Sequence, residues 1–106
     1  MIVRNDLSIG QQAAQICHAL TQFSFEHPII FKDWHLNSNY ICLLYIENES
    51  SLNAFLNKTN MSNISSSYFL EPDFNNQLTA ICLEPSPKTK KLTKNLKLAF
   101  DMKGNV

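Results

Sequence analysis

Gln11, Gln15, His18 and Gln22 recur at spacings of four, three and four residues. A helix through them sets all four on one face. A histidine in such a row is a candidate general base, since a neutral imidazole accepts a proton near neutral pH and a carboxylate can orient it. Asp6 upstream and Asp73 far downstream are the carboxylates proposed for that task. Glu71 stands two residues before Asp73 across Pro72, so the two form a potential acid pair. Each of these has a plainer alternative. His18 then bonds a neighbouring loop, and Glu71 and Asp73 belong to a solvated turn. With His27 and His35, His18 gives spacings of nine and eight. Neither matches a metal-binding pattern, so no metal and no cofactor are expected.

The elements that must position these residues follow from apolar periodicity. Met1-Ile2-Val3 reads as a short strand ending near Arg4. Ser8 caps a helix from about Ile9 to Glu26, and Pro28 marks its end. That helix has Ala13, Ile16, Cys17, Leu20 and Phe23 as its apolar side, opposite the glutamines. The continuous run Asn39–Ile46 suggests a central strand covered on both sides. Leu52, Phe55 and Leu56 mark a short amphipathic helix. Ser66–Leu70 and Leu78–Leu83 read as two more strands, joined by a loop holding Pro72 and two asparagines. The segment Lys88–Phe100 then predicts a helix on Leu92 and Leu96 with its lysines outward.

The order β-α-β-α-β-β-α predicts one α/β domain, a four-stranded mixed sheet with helices on both faces. It covers residues 1–100, followed by a flexible tail at 101–106. Ligands in such sheets bind beyond the carboxyl ends of parallel strands, which places Asn5 and Asp6 at a cleft.

Composition narrows the class. A chain of 106 residues supports one core. No apolar run approaches the ~20 residues that span a bilayer, so no membrane partner is expected. The start lacks a signal-peptide pattern, and three cysteines without a C-x-x-C pair fit a disulfide framework poorly. Each cysteine lies in an apolar run, where a reduced thiol packs as a small hydrophobe. The expected location is the cytoplasm. Net charge is zero, yet residues 88–106 hold six lysines against one acid. Such a basic segment points to a polyanion or to a solvated helix face.

The stretch Arg4-Asn5-Asp6-Leu7, Gly10 and Ala13-Ala14-Gln15 with His18-Ala19 resembles the opening signature of type 2 peptidyl-tRNA hydrolases. Leu78–Pro87 resembles that family's threonine-bearing strand and its proline-containing turn, and Leu92–Phe100 resembles its closing helix. Trp34-His35, Ser38-Asn39-Tyr40 and Glu71-Pro72-Asp73 bring the chain closest to a short bacterial or phage-like branch. The main branch carries lysines in the loop before Ala-Ala-Gln. Here that loop is two residues shorter and reads Gly10-Gln11-Gln12. The loop before the last strand is also shorter, so Asp73, and then Thr79, are what carries over.

The resemblance implies cleavage of the ester in peptidyl- or aminoacyl-tRNA by water, with general-base help. His18, Asp73, Asp6 and Thr79 are the catalytic candidates. Asn5, Gln11, Gln15 and Glu71 are placed on the substrate, and Lys90, Lys94 and Lys97, read as one helical face, on tRNA phosphates. A homodimer is compatible with the sequence but not specified by it. The alternative is a module that binds tRNA or a nucleotide without catalysis.

Overall fold

The computed structural model describes residues 1–100; the tail expected at 101–106 lies outside the described residues. The sheet is organised around β1 (Ile2–Arg4), whose three residues are all buried. β2 (Leu44–Ile46) lies parallel to it, with Ile2 opposite Leu44 and Arg4 opposite Ile46. On the other flank β4 (Gln77–Leu83) runs antiparallel to β1. β3 (Ser66–Glu71) is the hairpin partner of β4 and forms that edge. β5 (Lys97–Leu98) pairs antiparallel with β2 and forms the opposite edge. The spatial order is β3-β4-β1-β2-β5.

Successive residues of a strand face opposite sides, and the two cores divide accordingly. Ile2, Leu44, Leu78 and Ile81 pack with Leu52, Phe55 and Leu56 of α3 (Glu49–Met61). Val3, Ala80 and Cys82 pack with Ala19 and Phe23 of α1 (Ile9–Glu26), and Phe31 of α2 (Pro28–Asn37) joins them. Helices therefore cover both faces of one mixed sheet, as expected. None of the described helices is long and apolar enough to cross a membrane.

Three local expectations are corrected. Pro28 does not merely end α1; it opens α2, because a proline at the first helical position loses no hydrogen bond and already has a helical φ. The run Asn39–Ile46 is a strand only at Leu44–Ile46, the length over which β1 lies alongside. Asn39 instead turns in the left-handed region at φ 57°, and Tyr40 and Ile41 are exposed. Last, the C-terminal helix stops early. α4 (Pro87–Leu92) is capped by Ser86, and the Thr93 N–H closes its end on the Thr89 carbonyl. The chain then turns and adds β5 to the open edge of β2, with Ala99 N–H bonding the Leu43 carbonyl at 2.8 Å. Among the described residues the sheet therefore has five strands, and the order is β-α-α-β-α-β-β-α-β. Lys90, Lys94 and Lys97 fall on a helix, a turn and a strand, and do not form one helical face.

Candidate active site

The site begins with an irregularity in β4. Pairing with β3 runs Phe69 to Ala80 and then Leu70 to Leu78, so Thr79 is an extra residue, a β-bulge. In an unbroken strand, Ala80 facing α1 would send Thr79 into the core under α3. The bulge instead turns Thr79 towards α1, while Leu78 enters the α3 core.

There the fully buried Thr79 hydroxyl donates to Gln15 Oε1 at 2.6 Å. Gln15, 3% exposed, donates in turn through Nε2 to Glu71 Oε1 at 2.8 Å. A carboxylate only accepts, so the Gln15 amide has one consistent orientation. The second Glu71 oxygen accepts the Asp73 backbone N–H at 3.2 Å. The Gln15 amide, then the Asp73 N–H, hold the Glu71 carboxyl below its ordinary pKa. Desolvation opposes them, and the nearby His18 charge adds a smaller lowering. His18, one turn beyond Gln15, is exposed and stacks on Phe69, with ring centroids 4.4 Å apart and planes at 16°.

A second network closes the carboxyl end of β1. Arg4, 6% exposed, grips Asp6 with two hydrogen bonds of 2.9 Å. Its third nitrogen reaches Gln77 Oε1 at 2.9 Å and the Leu78 carbonyl at 3.1 Å. The hydrogen-bonded Arg4 guanidinium holds the Asp6 carboxyl below its ordinary pKa. Asn5 follows, its N–H on the Ile46 carbonyl at 2.9 Å. Beside it a cavity of about 420 Å³ is lined by Asn5, Gln12, Tyr45, Lys97 and Phe100.

Hydrogen bonds thus join Thr79, Gln15, Glu71 and the Asp73 backbone, with His18 next to them. Asp6 is bound to Arg4, and Gln11 forms a reciprocal capping box with Ser8 at the start of α1. The expected polar face of α1 is corrected: Gln12, Gln15, Ala19 and Phe23 form the buried stripe, whereas Ala13 and Cys17 are exposed. Polar groups on β4 and in the Leu7 turn supply partners there, so amides replace apolar side chains on the sheet side. Cys42 is likewise exposed, and of the cysteines only Cys82 is buried. Sequence reasoning missed Arg4, Phe69 and Gln77. The spacing Arg-x-Asp at the end of an apolar strand was the available signal for Arg4.

The family model described as Peptidyl-tRNA hydrolase PTH2 matches residues 1–99. A comparison with curated proteins gives no match.

Proposed function

This chain belongs to the peptidyl-tRNA hydrolase PTH2 family, and on that premise we propose that it hydrolyses the ester joining a peptidyl or aminoacyl group to tRNA. Water attacks the ester carbonyl carbon while the neutral His18 imidazole takes its proton. The tetrahedral oxyanion collapses, the ribose oxygen leaves, and the imidazolium returns the proton to it. A carboxylic acid and free tRNA result, and no residue is acylated.

The observation that carries this reading is the chain Thr79–Gln15–Glu71, which places a fixed carboxylate near an exposed histidine. Glu71 and Asp73 stabilise the imidazolium. Thr79 and Gln15 are too deeply buried to meet substrate, so they act as positioning residues. Asn5, Gln11 and Asp6 border the substrate at the carboxyl end of β1, and the lysines of the C-terminal segment meet the tRNA backbone. The protein works in the cytoplasm, where its substrate is made.

The test is release of free tRNA from an N-blocked aminoacyl-tRNA by wild type, His18→Ala and Asp73→Asn. His18→Ala is expected to lower turnover by about 10² to 10⁴, the range for loss of a general base. A wild-type protein that binds the tRNA but releases nothing would instead establish the binding-module alternative, with chemistry lost along with the loop lysine.

A further inference from the structure

Leu78, the residue just before the bulge, has its two peptide groups held by charged side chains from outside β4. Its N–H donates to Glu49 Oε2 at 2.8 Å, and its carbonyl accepts from Arg4 Nη1 at 3.1 Å. Glu49 is the first residue of α3 and Arg4 the last of β1, so the two holds come from two different elements. The reason for them is geometric. β1 pairs with β4 only at Ile2–Ile81 and Val3–Ala80, so the backbone of β1 stops short of Leu78. Leu78 is 2% exposed, so water offers no substitute partner. Backbone groups buried without partners are strongly disfavoured. A bulge at this place therefore needs side chains where the neighbouring strand has ended.

An acid in the first turn of a helix commonly serves the helix dipole at the surface. Glu49 has a further function. Asn48 already caps α3 by accepting the Ser51 N–H, and the Glu49 carboxylate turns to the sheet.

We propose that Glu49 and Arg4 clamp Leu78 so as to fix the bulge, making Glu49 a positioning residue for hydrolysis that acts through Thr79 and Gln15. This rests on the reading of the site given under Proposed function. If Leu78 shifts, Thr79 turns back towards the α3 core and Gln15 loses the hydroxyl that orients it. Glu71 then loses its fixed place beside His18.

The experiment compares Glu49→Ala, which removes the acceptor, with Glu49→Gln, which keeps an oxygen at the same reach. Glu49→Ala is expected to lower kcat roughly tenfold or more while KM changes less than about twofold, since small displacements of a reacting constellation cost up to ~10². Glu49→Gln is expected to restore most of the loss. The Leu78 and Thr79 amides should exchange hydrogen faster in Glu49→Ala, and the Glu71 carboxyl should titrate nearer its ordinary value. In a Thr79→Val background Glu49→Ala should add little, because both act on one chain.

Unchanged kcat and exchange in Glu49→Ala would overturn the clamp. So would an undiminished loss in the Thr79→Val background, or a Glu49→Gln protein as slow as Glu49→Ala. Should Glu49→Ala fail to fold, Glu49→Asp withdraws the acceptor by one methylene while keeping charge at the start of α3, with the same readouts. Absence of turnover in wild type would remove the hydrolytic reading and the positioning role with it. Amide exchange at Leu78 would still decide whether the clamp exists.

Discussion

The Thr79 hydroxyl donates to Gln15 Oε1 at 2.6 Å, tying the bulge in β4 to the first helix. The bond does more than satisfy two buried groups. With Oε1 engaged, Gln15 has only its Nε2 donors to offer Glu71, so a strand irregularity determines where a carboxylate sits. His18 lies three residues further along the same helix, stacked on Phe69, which pairs with Ala80 immediately after the bulge.

Gln15→Leu should therefore cost both stability and turnover. The substitution preserves volume but takes a partner from a Glu71 oxygen and leaves the Thr79 hydroxyl only its long bond of 3.4 Å to the Phe69 carbonyl. An unsatisfied buried group costs about 1–3 kcal/mol, and the buried Thr79 hydroxyl keeps one weak bond, so urea unfolding should show a loss towards the lower end of that range. Combining Gln15→Leu with Thr79→Val should cost less than the sum of the two, because the second removes the hydroxyl that the first leaves poorly bonded.

Acid should remove the contribution of the Arg4–Asp6 pair. The folded-state pKa of Asp6 is depressed below the ordinary 3.8 by its bond to Arg4. A depressed carboxyl contributes stability above its unfolded pKa and loses it as pH falls through the folded value. Thermal melts of wild type and Asp6→Asn should differ at neutral pH and converge as pH falls below the ordinary 3.8 and through the depressed folded value. Asp6 is 39% exposed, so screening keeps the difference small. A constant difference across that window would mean that the aspartate acts through shape and not through charge.

The parts of this fold that were legible in the sequence are those set by local chemistry. Ser8 announces a capped helix, and Ile9–Glu26 is where it lies. Leu52, Phe55 and Leu56 announce α3 because no other element competes for that stripe. Partner-dependent features stayed hidden. The run at Asn39–Ile46 has strand composition throughout, but β1 is three residues long and pairs only with its end. β5 exists because β2 offers an open edge, which residues 88–100 cannot reveal about themselves. At the site, Asp73, His18 and Gln15 stand out in the sequence, but the burial of Gln15 stayed hidden because an inward amide breaks the apolar stripe used to find a helix's buried side. The bulge has no glycine to mark it, so the turn of Thr79 towards α1 appears only in the pairing of β3 with β4.

The three thiols should react very differently. Cys17 and Cys42 are exposed, whereas Cys82 is buried and desolvation raises its pKa to about 11. The thiolate is the reactive form, so alkylation of the folded protein at about pH 8 should modify Cys17 and Cys42 and spare Cys82. Adding urea should make the third site reactive in step with unfolding. Rapid labelling of Cys82 in the native protein would show that β4 opens locally without global unfolding.

The basic segment yields the sharpest test of where tRNA lies. Lys97, on β5, lines the cavity beside Asn5 at the carboxyl end of β1, on the sheet edge opposite β3. Lys90, on α4, instead lines an apolar cavity of about 1000 Å³ that also includes Met1, Phe23, Trp34 and Leu83. Met1 and Leu83 mark the opposite end of the sheet, since Met1 precedes β1 and Leu83 ends β4. On the proposed reading, a tRNA held at the carboxyl end of β1 meets Lys97 before Lys90. Each phosphate contact contributes roughly 0.7–0.9 to the slope of log affinity against log salt. Lys97→Gln should flatten that slope by about one contact, and Lys90→Gln should leave it unchanged. Equal effects from both variants would place the nucleic acid along the whole basic segment, and no effect from either would return the lysines to solvent.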